Sequence, residues 1–166
     1  MRFTPAALAL SLLVAVSASV GHGATHEPDP RATALVAQGR SAANAGDLQA
    51  AIDSFEAALV IDPAYTGVYL ELAAAARQQG LQGKAIHYYR ETLEREPGNL
   101  AAISGEGAAL VEKGAVAKAE RNLAQLQSLC GGACAEAERL ASALAQGPPV
   151  QTAEAALPDT SGVTQN

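Results

Sequence analysis

Equivalent residues recur every 34 positions through the middle of this chain, and this period constrains the fold more than any other feature. Four columns of small or apolar residues keep the spacing: Gly46, Gly80 and Gly114; Gly39, Ala73 and Gly107; Ala51, Ala85 and Ala119; Phe55, Tyr89 and Leu123. Pro63 and Pro97 share the interval. Several columns in phase indicate tandem copies of one supersecondary unit.

The residue types in these columns are those of a helix–turn–helix unit. Small residues such as Gly39 and Ala51 let two antiparallel helices cross closely, and Gly46 suits the turn between them. Phe55 lies four positions after Ala51 on the same helical face, where a large side chain fills the space between hairpins. Pro63 ends the second helix. Because a hairpin cannot bury its apolar face alone, three hairpins are expected to stack into a short solenoid.

The unit resembles the tetratricopeptide repeat, which carries a large-x-x-Leu-Gly element on its first helix, Ala-x-x-x-Phe on its second and a closing proline. The matching residues are Leu35, Gly39, Ala51, Phe55, Ala58 and Pro63, then Tyr69, Leu72, Ala73, Ala85, Tyr89 and Pro97, then Ile103, Gly107, Ala119 and Leu123. The third repeat departs from the pattern because it lacks the proline. The resemblance covers about residues 32–131 and implies an all-α, short right-handed α-solenoid of three repeats.

Composition predicts how the chain is divided. The expected parts are a signal peptide at 1–23, a flexible leader at 24–31, a repeat domain at 32–146 and a disordered tail at 147–166, rich in Gly, Pro, Ser and Thr. The expected repeats lie at about 32–65, 66–99 and 100–133. A capping helix is expected at 135–146, where Leu140 and Leu144 lie one turn apart, to cover the open end of the stack.

The first residues have the layout of a secretory signal. Arg2 precedes an apolar run from 5 to 16, which is shorter than the ~20 residues of a membrane-spanning helix. Small residues allow cleavage after Ala18 or Gly21, and no cysteine follows the run as a lipoprotein anchor would require. We therefore expect a periplasmic or secreted protein that is not attached to a membrane after cleavage.

The charge balance excludes some partners. With 11 basic and 17 acidic residues the net charge is −6, and the basic residues are scattered. Nucleic acids and anionic membrane surfaces attract clustered Lys and Arg, so neither is an expected partner.

Two cysteines form the one reactive pair. Cys130 and Cys134 are separated by Gly-Gly-Ala, which lets the backbone bend, and in an oxidising compartment a structural disulfide is the expected state. The alternatives are a redox pair and free or intermolecular thiols. Redox pairs usually have two intervening residues at a helix start beside a sheet, which this sequence lacks.

Other chemistry is not expected. His22 and His26 lie near the signal and are too few for a metal site, which needs three or four converging ligands, and His87 is interpreted as a surface or packing residue. The sequence contains no nucleophile elbow, phosphate loop or zinc-helix motif. We predict no cofactor and no enzyme activity.

The resemblance places a binding groove on the inner face, along one side of each first helix. The predicted lining residues are Val36, Arg40, Asn44, Leu70, Glu71, Ala74, Arg77, Gln78, Ser104 and Ala108, in a stripe that starts at Thr33 and ends at Val111 and Glu112. Small apolar and polar residues in one groove suit an extended or helical peptide. Arg40 and Arg77 either bind a ligand carboxylate bidentately or are ordinary solvated residues. Relatives that clamp a C-terminal carboxylate use Lys and Asn at positions that hold Val36, Arg40, Glu71 and Gly105 here, which disfavours that mode.

The leading functional hypothesis is a binding scaffold or assembly factor that takes a protein or peptide in this groove. Two alternatives stay open at this point: a redox accessory protein that uses Cys130 and Cys134, and a structural protein that self-assembles through the ends of its solenoid.

Overall fold

The computed structural model describes residues 26–131 and 133–149, and within those ranges the chain forms seven helices and no strand. The helices are α1 (Pro30–Asn44), α2 (Leu48–Ile61), α3 (Gly67–Gln78), α4 (Gln82–Arg95), α5 (Leu100–Glu112), α6 (Val116–Cys130) and α7 (Ala135–Gln146). The expected signal peptide and residues 150–166 of the expected tail lie outside the described residues.

The helices pack as three hairpins in a row. The hairpins are α1–α2, α3–α4 and α5–α6, and successive hairpins meet through α2 against α3 and α4 against α5. The first helices also contact one another, α1 with α3 and α3 with α5. The last helix, α7, packs on both α5 and α6. The predicted all-α repeat solenoid with a final covering helix is therefore confirmed.

The turn glycines behave as their column predicts. Gly46, Gly80 and Gly114 have φ values of +83°, +73° and +79°, in the left-handed region that glycine tolerates. The residue after each glycine donates its N–H back to a carbonyl in the last turn of the first helix, as Asp47 does to Ala42 at 3.0 Å. This Schellman arrangement ends each first helix and reverses the chain into the second.

The small-residue columns mark close contacts, although their partners differ between repeats. Ala51, Ala85 and Ala119 are all fully buried. A Cβ on Gly39 would lie 2.4 Å from the Phe55 ring, so this glycine admits the ring within its own hairpin. At Gly107 the side chain admitted is Leu140 of α7, 2.5 Å from the position of a Cβ. Gly107 therefore makes room for the capping helix, whereas Gly39 makes room for a ring of its own hairpin.

The leader is shorter than expected. α1 begins at Pro30, not at residue 32, because Asp29 caps it by accepting the Arg31 N–H at 2.8 Å. The buried Asp62 carboxylate accepts the Asp29 N–H at 2.9 Å and lies 2.8 Å from His26 Nε2. The Asp29 N–H lowers the pKa of Asp62, and His26 lowers it further. Residues 26–29, expected to be flexible, therefore lie on the first repeat.

The capping helix α7 is joined to the third repeat in several ways. Leu140 is fully buried, and Ser104 Oγ donates a hydrogen bond to the Glu136 carbonyl at 3.0 Å. A disulfide joins Cys130, the last residue of α6, to Cys134, directly before α7, with 5.9 Å between their Cα atoms. None of the helices in the described part of the chain has the length and apolar character to cross a membrane.

Candidate peptide-binding groove

Three cavities follow one another along the face formed by the first helices. The first, of about 230 Å³, lies between α1 and α3. The second, of about 350 Å³, and the third, of about 570 Å³, lie between α3, α5 and α7. Arg77, Ala108 and Ala143 line both of the latter, so these two cavities are adjacent. We call the row of three cavities the groove.

Eight of the ten predicted lining residues border the groove. The first cavity has Arg40, Asn44, Glu71, Ala74 and Gln78, and the second has Arg77, Ser104 and Ala108. These eight residues therefore lie along one surface, and Val111 and Glu112 of the predicted stripe line the third cavity.

Val36 and Leu70 were wrongly assigned to the groove. Val36 is 2% exposed and belongs to the core of the first repeat, and Leu70 packs half-buried against the core of the following repeats. These residues lie three positions before Gly39 and Ala73, the sites of close contact, and so share the helix face that turns toward neighbouring helices. Both side chains pack against neighbouring helices, and neither borders any of the three cavities.

Each groove arginine of the first two repeats is paired with a carboxylate of the next repeat. Arg40 donates from Nε and Nη2 to Glu71 Oε1, at 2.8 and 2.6 Å. Arg77 donates through Nε to Glu112 Oε2 at 3.3 Å and through Nη2 to Glu112 Oε1. The sequence left two roles open for these arginines, a ligand clamp or a solvated side chain. The structure shows a third role, in which each pair bridges successive first helices.

These pairs set the electrostatics of the groove. Hydrogen bonding to Glu112 raises the pKa of Arg77, so this guanidinium stays charged and engaged. Burial raises the pKa of the neighbouring Tyr89, and the charge of Arg77 opposes that rise. A ligand carboxylate would have to compete with Glu112 for Arg77. The groove is therefore polar along its edges but close to neutral.

The floor consists of small residues. Ala43, Ala74 and Ala75 lie in the first cavity, and Ala101, Gly105, Ala108 and Ala143 lie in the second. A Cβ on Gly105 would lie 2.3 Å from the Tyr89 ring, so this glycine lets the ring lie flat between the second and third repeats. The Phe55 ring also borders the first cavity and the Tyr89 ring the second, and the small residues between them leave room for a peptide backbone to approach closely.

The last helix completes the groove, a contribution that was not predicted from the sequence. Arg139 and Ala143 of α7 line the second cavity, and Arg139 donates to Glu136 at 2.6 Å. Gly147, Pro148 and Pro149 border the third cavity. The i, i+4 spacing of Arg139 and Ala143, on a face apart from Leu140, was the available signal. This spacing could not be interpreted from the sequence because the position of α7 against α5 was not known.

Among the described residues, no group of three or more His, Cys, Asp or Glu side chains is arranged to hold a metal ion. His26 lies against Asp62, and His87 is exposed beside Tyr88. Neither lines the groove.

The family model for the tetratricopeptide repeat matches residues 32–65, the stretch predicted as the first repeat, and the solved structures that resemble the chain carry the same repeat. The chain therefore carries a tetratricopeptide repeat at residues 32–65 and has the fold of tetratricopeptide repeat solenoids. No curated protein is significantly similar to it in sequence. The repeat assignment explains why α1, α3 and α5 share one face.

Three solved tetratricopeptide structures show the likeness. The MamA protein is 25% identical with a TM-score of 0.56, over 67% of this chain and 57% of MamA, so this chain spans less than two thirds of MamA. The first repeat domain of Spaghetti (RPAP3), bound to an HSP90 peptide, is 19% identical with a TM-score of 0.64, over 74% and 96% of the two chains. The Yersinia enterocolitica secretion chaperone SycD, in complex with a peptide of the translocator YopD, is 24% identical with a TM-score of 0.61, over 69% and 89%.

Proposed function

We propose that this tetratricopeptide protein is an exported, non-catalytic scaffold that binds a peptide segment of a partner protein in the groove. The observation that carries the proposal is the small-residue floor that runs along α1, α3 and α5 between edges of paired charges. A peptide needs close backbone approach together with polar partners, and this surface offers both.

The state of the charges favours one class of segment. Because Arg40, Arg77 and Arg139 are already paired with carboxylates, a strongly acidic ligand gains little from them. Asn44 and Gln78 end α1 and α3 and line the first cavity, where their amides can both donate and accept hydrogen bonds. A mostly neutral segment with small or apolar side chains fits best.

Two of the similar structures support the proposal by fold analogy. The Spaghetti domain is bound to an HSP90 peptide and SycD to a YopD peptide. Fold likeness alone does not carry a partner from one protein to another. We therefore leave the partner of this chain defined by chemistry.

Filling the groove should abolish peptide binding. In Ala108→Trp the indole would occupy the second and third cavities, which share this residue. We expect the affinity for peptides selected from a displayed random dodecamer library to fall by more than about tenfold, equivalent to ~1.4 kcal/mol. Fluorescence anisotropy with the selected peptides measures the loss, and circular dichroism checks the fold.

The matched control is Ala124→Trp, which places the same side chain at an exposed position of α6, a helix that does not line the groove. It should bind like the parent chain. Equal losses in both variants, or unchanged binding in Ala108→Trp and in Ala74→Trp of the first cavity, would show that the groove is not the binding surface.

Export is a separate part of the proposal and rests on the apolar run after Arg2. Fusing residues 1–31 to mature alkaline phosphatase, which is active only in an oxidising compartment, should give active enzyme in a Gram-negative host. Leu12→Arg interrupts the run and should remove most of that activity. Mass spectrometry of the exported product should show cleavage after Ala18 or Gly21. Activity unaffected by Leu12→Arg, or absent from both fusions, would reject export.

The disulfide has a different place in the proposal. Cys130 and Cys134 join α6 to the start of α7, and neither lines the groove. This position favours a structural link that holds the capping helix. No observation on the described residues favours the redox or self-assembly alternatives.

A further inference from the structure

We propose a second ligand site, independent of the groove, that binds a carboxylate carried on a short aliphatic stem. The site is a cavity of about 210 Å³ between the second and third repeats, where α4 and α6 begin. Its lining includes three cations, Arg90, Lys113 and Lys118, and no acidic residue. Ile86 and Leu110 supply apolar surface.

Unpaired positive charge is unusual on this acidic chain. Within the ranges described, six of the seven arginines form ion pairs, whereas Lys84, Lys113 and Lys118 form none. Two of those lysines meet at this cavity. Arg90 donates from Nε to Glu106 Oε1 at 2.7 Å and is therefore already paired. The two lysines are the cationic groups of this cavity that no carboxylate of the described residues neutralises.

The position of Lys113 strengthens the case. Its Nζ lies 3.9 Å from where a Cβ on Gly83 would be, beside the first turn of α4. The start of a helix carries partial positive charge, so an ammonium there is held in an unfavourable field. The N-cap residue of α4 is Leu81, which offers no side-chain oxygen to offset that charge. A bound anion would neutralise the lysine and the helix end together.

The apolar side of the cavity selects the kind of anion. Ile86 and Leu110 are 7% and 4% exposed, and the part of each that reaches the cavity offers no hydrogen bond. A bare inorganic oxyanion would lose water on that side without replacing its hydrogen bonds. An aliphatic stem gains from the same contact. The chemistry that fits is a glutamate side chain of a partner or a small organic diacid.

The preceding junction provides an internal comparison. At the positions 34 residues earlier, Glu56 stands for Arg90, Gln79 for Lys113 and Lys84 for Lys118. The repeat architecture therefore forms the same junction without this charge cluster. The cluster of three cations belongs to the second junction alone and is not a requirement of the fold.

The test is titration of the ¹⁵N-labelled full chain with glutarate at low ionic strength, followed by amide shifts. We expect saturable shifts at Gly83, Ala115 and Lys118. The double variant Lys113→Gln/Lys118→Gln should weaken binding by about tenfold or more, since it removes two charge-assisted contacts. Lys84→Gln, the matched control at the equivalent position of the preceding repeat, should bind like the parent.

A hexaglutamate peptide with blocked ends separates the two sources of the carboxylate. Tighter binding than glutarate points to a protein partner, and weaker binding points to a free diacid. Inorganic phosphate that shifts the same amides with equal affinity would overturn the assignment. So would the absence of saturable shifts with both carboxylate probes, or equal losses in Lys84→Gln and the double variant.

Thermal unfolding distinguishes a ligand site from a structural role for Lys113. Without added anion, Lys113→Gln relieves the unfavourable charge beside α4 and should leave the Tm unchanged or raise it. A lowered Tm would mean that the lysine stabilises the fold, and the proposal would fail.

Discussion

Replacing Phe55 with alanine should lower the free energy of unfolding by about 3–5 kcal/mol, the usual range for removing a buried aromatic ring. Phe55 is 1% exposed and packs in the core of the first repeat with Val36 and Leu72. Its ring lies against Gly39, which has no side chain that could fill the space. The cavity left behind would stay largely open, which places the loss toward the upper end of the range.

Urea denaturation followed by circular dichroism measures this loss. The control is Val60→Ala on the same helix, where the side chain is 83% exposed and the expected change is within ~0.5 kcal/mol. If Phe55→Ala costs no more than Val60→Ala, the ring does not hold the first hairpin together.

Gly39 and Phe55 show why so much of the fold could be predicted from the sequence. Both belong to columns with a 34-residue period. Each repeat needs a tight turn between its helices and must bury the apolar face of its hairpin. The φ values of Gly46, Gly80 and Gly114 follow from the same reasoning. Because the same local geometry recurs in each repeat, the same type of residue recurs with it, and this can be recognised in a single sequence.

The ion pairs of the groove could not be found in that way. Arg40 and Glu71 are 31 residues apart, whereas Arg77 and Glu112 are 35 apart, so neither pair keeps the period. Their formation depends on how far the first helices lie from one another, which composition and spacing do not encode. A charged residue on a predicted inner face can therefore be placed from sequence, but its partner cannot.

Residues at the ends of the stack were also difficult to predict. His26 and Asp29 were predicted to belong to a flexible leader because the segment is rich in Gly, His, Pro and Asp. In the structure both reach Asp62, at the turn between the first two repeats. Likewise, Gly107 follows its column in sequence but admits Leu140, a residue outside the repeats. At the end of the repeats, a position can therefore keep the residue type of its column and contact a residue from outside the repeats.

That change of partner makes the capping helix part of the candidate site. Arg139 and Ala143 supply one wall of the second cavity, so the groove is complete only while α7 stays on α5. Stability of the last helix and binding in the groove should therefore vary together, whereas the first cavity lies between α1 and α3 and should be insulated from α7.

Replacing Leu140 with alanine should destabilise the α7 end of the groove and leave the first cavity, between α1 and α3, unchanged. Leu140 is fully buried and sits on Gly107, where no Cβ is present to fill the space, and such truncations cost about 2–5 kcal/mol. In a stacked repeat array each unit is stabilised by its neighbours, so the loss should concentrate in α7 and α5. The disulfide should keep α7 attached to α6 even when α7 no longer packs on α5.

Native-state amide hydrogen exchange resolves where the loss falls. Protection of α7 amides should drop by about 30-fold to several thousand-fold, since each ~1.4 kcal/mol corresponds to tenfold, while the amides of α1 and α2 keep their protection. The control Leu129→Ala, at a 51% exposed position of α6, should change neither the protection of α7 nor that of α1 and α2. Equal loss of protection across all helices of Leu140→Ala would mean that the chain unfolds as one unit, and the groove could not then open at its α7 end while the first repeat stays folded.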